Sequence, residues 1–282
     1  MPNYSTFERL QMKVLDKAVG LVMAPPVQRA VYDQFTMTVV GTADLAPNVR
    51  RITFRAEEFA DHDHTGADEY FGLLMPRPGA SEVTMPSEDR INVRQAIRRM
   101  PEDRRPDLRW YTIRRLRRAE KEIDVDFVLH GDAGPGSRWA SRAEPGQTVG
   151  FRAGNATYLP TRPGPRLLAA DETALPALSA ILEAHQDADL DIHAYVEVPD
   201  DSYRLPIDCD RQVTWLVRGD AAPGTRLLPA VADLDTTDWG YAWLCGESAI
   251  ATGLRRHLVR ERGVDRRRVM FSGYWKVGSA RE

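Results

Sequence analysis

Cysteine is nearly absent. Cys209 and Cys245 are the only two in 282 residues, too few for a disulfide framework or a cysteine-rich metal centre, and in keeping with a reducing compartment. Lysine is scarce as well: Lys13, Lys17, Lys121 and Lys276 are the only ones, and arginine supplies the remaining positive charge. No apolar run is long enough to cross a membrane. Glu8, Arg9, Lys13, Asp16 and Lys17 interrupt the N-terminal apolar residues, which excludes a secretory core there. There is no internal repeat, no low-complexity tract and no G-x-G-x-x-G fingerprint. The net charge of −3 argues against nucleic acid as a partner. What is present is a chain with 43% hydrophobic and 28% charged residues, a composition that supports an adequate core. The expectation is a cytoplasmic monomer of one large or two ordinary domains, with no membrane span.

Residues 4–34 read as helical, with Phe7, Leu10, Val14, Leu15, Ala18 and Val22 at three- and four-residue spacings until Pro25-Pro26 interrupts. A β-rich stretch follows. Runs at 35–43, 49–56, 69–75, 109–114, 123–130 and 148–153 make about six short strands at hairpin spacing, the pattern of an antiparallel barrel. Between them, Asp61-His62-Asp63-His64 reads as a solvated loop rather than a metal site, and 93–99 as a short helix. Pro160-Thr161-Arg162-Pro163-Gly164-Pro165 is the clearest linker. Beyond it, strands at 166–170, 191–198, 212–217, 241–244 and 269–275 alternate with helices at 173–185, 225–234 and 247–261. That alternation predicts a doubly wound parallel sheet with ligands at the carboxyl ends of its strands. The expected organisation is a helical extension over 1–34, a barrel domain over 35–160 and an α/β domain over 166–282.

The most informative stretch runs Arg109-Trp110-Tyr111-Thr112-Ile113-Arg114, then, after a turn and a second strand, His130 and Gly134-Pro135-Gly136-Ser137-Arg138-Trp139-Ala140. Arg109 and Tyr111 stand two apart and share a face of their strand. A cation beside a flat ring suits a ligand with a phosphate and a planar ring system. A Gly-rich loop opening a helix offers backbone N–H groups to a pyrophosphate. These motifs, with Ala170-Asp171-Glu172-Thr173-Ala174-Leu175-Pro176-Ala177 and Gly273-Tyr274-Trp275-Lys276-Val277-Gly278, resemble the siderophore-interacting protein family over about residues 35–278. Members are FAD-containing ferric-siderophore reductases related to the ferredoxin reductases.

The resemblance implies an N-terminal flavin-binding barrel and a nucleotide-binding α/β domain. It implies that Arg109 neutralises an FAD phosphate, that Tyr111 packs on the flavin or ribityl, and that Thr112 meets the flavin edge near N5. Ile113 and Arg114 complete that strand, and His130 touches the ribityl, phosphate or adenine side. Gly134, Pro135, Gly136 and Ser137 form the pyrophosphate loop; for Trp139, core packing and adenine contact are equally open. NAD(P)H phosphates fall to the turn carrying Asp171, Thr173 and Ala174, although Asp171 and Glu172 repel a pyrophosphate placed directly on them. Trp275 and Lys276 meet the ferric siderophore, the substrate. Where the family often has a second basic residue this chain has Gly72, and Arg77 is the candidate replacement. Iron is then the cargo, with no protein metal site. The reaction expected is NAD(P)H-driven reduction of ferric siderophore through FAD. A general NAD(P)H:flavin or quinone reductase, and a siderophore-binding flavoprotein without turnover, remain open.

Overall fold

The computed structural model describes residues 20, 22–27, 29, 31–80, 82–88, 91–129, 134–236 and 238–278. Among these, Val27–Ala156 form one compact unit, and residues 20–26 with 157–278 form a second. Most of the expected N-terminal helix, and His130, lie outside the described residues. Gly20 and Val22 are helical, but the helix does not extend to residue 34. Pro25 and Pro26 remove two N–H donors in a row, and Val27 instead forms an antiparallel bridge with Ala156.

The first unit is a seven-stranded antiparallel sheet. Its strands are β1 (Gln34–Ala46), β2 (Val49–Arg55), β3 (Tyr70–Met75), β4 (Asp107–Thr112), β5 (Arg115–Arg117), β6 (Glu122–Val128) and β7 (Thr148–Ala153), in the order β4-β3-β7-β1-β2-β6-β5. The strands at the two ends of that order are consecutive in the chain, so the sheet curls back on itself as a barrel. The run expected as one strand over 109–114 is in fact bent. Ile113 donates its N–H to the Glu69 carbonyl and Arg114 to that of Asp124, which moves the chain from the β3 edge to the β6 edge. Alternation along β6 explains which face is inside. Ile123, Val125 and Phe127 join Phe54, Phe71 and Phe151 in the core, while Asp124 and Asp126 face arginines outside it. Arg51 clasps Asp126 at 2.6 and 2.8 Å, and Arg117 clasps Asp124 at 2.5 and 2.9 Å.

The helix expected at 93–99 is present as α1 (Val93–Arg99), its N-terminus capped by the Asn92 side chain. The 61–64 loop is not solvated throughout. His62 is only 3% exposed and Glu69 0%. Glu69 accepts from Arg29 at 2.5 Å and lies 2.7 Å from His62, while its other oxygen accepts the Thr65 N–H at 2.6 Å. Burial pushes the Glu69 pKa up, but the His62 hydrogen bond and the His62 and Arg29 charges outweigh it and hold the carboxyl below its usual range.

The second unit is a five-stranded parallel sheet of β8 (Arg166–Asp171), β9 (Ile192–Val198), β10 (Val213–Val217), β11 (Tyr241–Glu247) and β12 (Val269–Trp275), in the order β10-β9-β8-β11-β12. Its helices are α3 (Leu175–Ala184), α4 (Leu227–Ala232) and α5 (Ser248–Arg256), with a single π turn at His257–Glu261 where the sequence predicts continuous α-helix. Leu167, Ala169, Ala242 and Leu244 are buried against Leu254 and Leu258.

Removing one partner from a buried ion pair leaves the other charge uncompensated, at a cost of about 3–5 kcal/mol. Glu69→Gln is therefore expected to lower the unfolding free energy by about 3 kcal/mol in urea. A midpoint unchanged from the parent protein would show that Arg29 finds an adequate partner elsewhere.

Candidate functional site

In the first unit, side chains from two elements meet over one face of β4. Asp107, Arg109 and Tyr111 alternate onto that face. Opposite them runs the helix α2 (Pro135–Ala140), with Gly134 as its extended N-cap and Pro135 in its first turn. Gly136 touches the strand directly: a Cβ there would run into the Tyr111 hydroxyl and lie 3.5 Å from the Arg109 Cγ. Only glycine permits this approach. The Tyr111 ring packs on Phe127 at 4.3 Å between centroids. Burial pushes the Tyr111 phenol well above its ordinary pKa, against the opposing pull of Arg109, so it remains a hydrogen-bond donor. Thr112 and Ile113 are buried at the end of the strand. Arg114 is buried too, its Nε 3.8 Å from Asp126, so its charge has a protein partner.

Trp139 has its ring against Phe54 and Phe127, with centroids 6.1 and 6.0 Å away. It also borders a cavity of about 270 Å³ that α2 shares with the ends of β3, β4 and β7. Arg77 lies in this cavity beside Arg138 and donates to the Glu102 carbonyl, so the structure associates it with α2. Gly72 pairs with Trp110 across β3 and β4. A side chain at Gly72 would press on the Leu108 and Trp110 side chains, so the indole occupies the space that a basic residue would need.

In the second unit, the carboxyl ends of the strands carry a set of buried acids. Asp171, 1% exposed, accepts the Thr173 N–H at 2.9 Å and its hydroxyl at 2.5 Å. It also accepts the Glu247 N–H at 2.7 Å and the Trp275 indole N–H at 2.8 Å. Gly246 makes this possible: at φ +140° its missing Cβ would stand 2.6 Å from the carboxylate carbon. Glu172 is held by Arg218 through two bonds of 2.8 Å. Glu197 accepts the Gly224 and Leu227 N–H groups near α4, and Glu247 accepts those of Ala249 and Ile250 at the start of α5. The Asp171–Thr173–Ala174 turn thus faces inward: Ala174 is buried and bonded to the Asp171 carbonyl. Donors expected for a nucleotide phosphate here already serve the protein's own carboxylates. Cys245 is buried with its sulfur 3.9 Å from that of Met270. Arg218 and Arg204 are paired with Glu172 and Asp201.

The same ties hold the last motif. Trp275 is bound through its indole to Asp171 and through its carbonyl to the Ser248 hydroxyl at 2.7 Å, and the Val277 N–H reaches Glu247 at 3.2 Å. Lys276, between them, is exposed.

Residues 38–157 match the model of the siderophore-interacting FAD-binding domain, and residues 165–278 that of siderophore-interacting protein. A siderophore utilization protein from T. fusca superposes with a TM-score of 0.75 at 30% identity, covering 90% of this chain and 97% of that one. The chain belongs to the siderophore-interacting protein family. A protein of Mycobacterium tuberculosis without an assigned function is 32% identical over 262 residues, 86% of this chain and 90% of its own length. Ferric vibriobactin reductase ViuB of Vibrio cholerae is 25% identical over 244 residues, 84% of this chain and 88% of its own length. This siderophore-interacting protein therefore carries its FAD-binding domain on the antiparallel unit. The burial of Glu197 and Glu247 is not evident from the sequence. Glu247 is the more legible, since it stands directly before the α5 pattern, where an acidic side chain caps a helix. Glu197 has no local signal.

Asp171 generates a pH prediction. Burial, reinforced by Glu172, outweighs its hydrogen bonds and pushes its pKa up to about 6. A carboxyl whose folded pKa exceeds its unfolded value, about 3.9, binds its proton more tightly when folded. Its contribution to stability therefore increases as pH falls from above 6 towards 4. Between pH 7 and 5 the stability of the parent protein should rise relative to that of Asp171→Asn, by on the order of 1–2 kcal/mol. Parallel stability curves for the two proteins across that range would remove this role.

Proposed function

We propose that this protein is an FAD-dependent ferric-siderophore reductase driven by NAD(P)H. The observation that carries the flavin half is the packing of Gly136 onto Arg109 and Tyr111, within the stretch that matches the FAD-binding domain. The donor set fits FAD: a guanidinium for a phosphate and a phenol on one face of the strand, with a glycine backbone lying close over both, and a threonine next along the strand. Arg109 binds the phosphate, Tyr111 orients the ribityl or ring and excludes water, and Thr112 presents its hydroxyl and N–H to the ring edge. Bound FAD supplies the conversion of a two-electron donor into one-electron transfers, so one NAD(P)H reduces two Fe(III) chelates and releases one proton.

For the chelate, Lys276 offers an exposed mobile charge suited to a bulky anion, and Trp275 an aromatic surface whose indole is fixed by Asp171. ViuB, named for reducing ferric vibriobactin, supports this substrate class. The parallel sheet supports NAD(P)H as the donor. The filled donors at Thr173, Gly224, Ala249 and Ile250 favour a second reading of electron entry, through a one-electron carrier protein.

Anaerobic mixing tests the reading. The yellow protein should bleach with NADH or NADPH and recolour on addition of a ferric siderophore, with Fe(II) trapped by a chelator. Bleaching by a reduced carrier protein but by neither nucleotide would select the second donor. Bleaching with no Fe(II) formed would leave a flavin or quinone reductase. Arg109→Ala should weaken FAD roughly 10- to 150-fold, from the ~1.5–3 kcal/mol of a charge-assisted contact; full FAD retention through dialysis would sink its phosphate role. Lys276→Glu should raise KM for anionic ferric chelates about 5- to 30-fold at low salt, with the flavin spectrum unchanged. Equal KM values for a tricatecholate chelate at low salt would place Lys276 in solvent, away from the substrate.

A further inference from the structure

Positive charge is concentrated at one end of the second unit. Residues 255–268 hold seven arginines against two acids, Glu261 and Asp265. Five net positive charges thus lie within fourteen residues of a chain whose total is −3. The stretch folds back on itself where α5 runs into its π turn and then towards β12. Arg262 donates its N–H to the His257 carbonyl at 3.1 Å, and Val264 to that of Leu258 at 2.9 Å. Four of the arginines serve the protein. Arg255 donates to the Val22 carbonyl at 2.9 Å and stacks over Phe271. Arg262 donates to the Leu234 carbonyl, and Arg267 and Arg268 pair with Asp265 and Asp238. Arg256, Arg260 and Arg266 are exposed and enter none of these bonds. An apolar side chain sits beside them. Val22 is 50% exposed, on a segment fixed here by the Arg255 bond and by the Ala24 N–H, which donates to the Val269 carbonyl at 3.1 Å. The cluster marks the amino end of β12; Trp275 is at the other end of that strand, roughly 20 Å away at about 3.3 Å per residue.

We propose that this basic end of the second unit docks onto an anionic lipid surface. Guanidiniums bind headgroup phosphates, and Val22 enters the apolar boundary beneath them. The long stems of Arg256, Arg260 and Arg266 keep their charge at headgroup level as Val22 enters. The apolar side chain favours lipid over nucleic acid, which is held at its backbone by charge. The distance from Trp275 disfavours an electron-carrier protein, which docks where electrons enter. Attachment here leaves the carboxyl end of β12, with Trp275 and Lys276, uncovered. It requires neither FAD nor siderophore, so it stands apart from the reductase reading.

The test is co-sedimentation of the full chain with vesicles. Vesicles of phosphatidylcholine mixed with phosphatidylglycerol should pellet the protein at low salt, and vesicles of phosphatidylcholine alone should not. Binding should fall steeply as salt shortens the reach of the charges. An arginine near an anionic surface contributes roughly fivefold to partitioning. The triple variant Arg256→Glu, Arg260→Glu, Arg266→Glu should therefore bind at least about 100-fold more weakly. A control triple, Arg98→Glu, Arg99→Glu, Arg104→Glu, reverses three exposed arginines of the other unit and changes net charge equally. It should lose less than about threefold. Val22→Ser should weaken binding about threefold by removing the apolar contact. Circular dichroism checks the fold of each variant, and the comparison of the two vesicle types stands without them. Failure to bind the anionic vesicles at low salt would overturn the proposal, as would equal losses in the two triple variants. Unchanged binding by Val22→Ser would overturn the lipid assignment. Tighter binding at the same salt to a short DNA duplex, or to polyglutamate, would overturn it too, in favour of a nucleic acid or an acidic protein.

Discussion

The candidate flavin site depends on the two-residue repeat of a single strand. Because successive residues of β4 point to opposite faces, Asp107, Arg109 and Tyr111 form a row while Leu108 and Trp110 are turned the other way. A one-residue slip of the β3–β4 register would exchange a charged row for an apolar one. That register is pinned at one end by the bend at Ile113 and Arg114, whose N–H groups bond to opposite edges of the sheet. The same bend closes the barrel, so barrel closure and site geometry come from one feature. Gly136 completes it, since the absence of a single Cβ lets α2 lie directly on the row.

The second unit is organised by charge rather than by alternation. Four buried carboxylates, of Asp171, Glu172, Glu197 and Glu247, stand at the ends of β8, β9 and β11, where doubly wound sheets commonly hold ligands. Each is compensated locally: three by backbone N–H groups and one by Arg218. Burial of such acids is costly unless they are hydrogen-bonded, and here the hydrogen bonds connect separate elements. Asp171 alone joins the β8 turn, the β11 end and the indole of β12. The terminal Trp275-Lys276 pair is thus held at a set place, with an exposed charge carried on a rigidly tied backbone.

Gly72 shows how a strand position without a side chain is filled by its neighbours. Its missing side chain is compensated by Trp110, which covers the position and packs edge-on with Tyr70 at 5.3 Å. The surface there is aromatic.

The sequence by itself determined the two architectures, through period-two alternation in 35–153 and strand–helix alternation after 166. It also determined the candidate flavin row, because Arg109 and Tyr111 are neighbours on one strand and local spacing alone puts them on one face. The motif order determined the family. Tertiary structure alone decided the rest, because those features join residues far apart in the chain. Arg29 meets Glu69 and His62 only once the barrel is closed, which turned an apparently polar loop inward. Asp171 reads as a nucleotide-turn residue until Trp275, more than a hundred positions later, is seen to donate to it. Arg77 and Arg138 share a cavity only because the ends of β3 and β7 both pack beside α2. Hydrogen bonds and cavities of this kind are properties of distance in space, and the periodicity of a sequence carries information only about neighbours within a few residues.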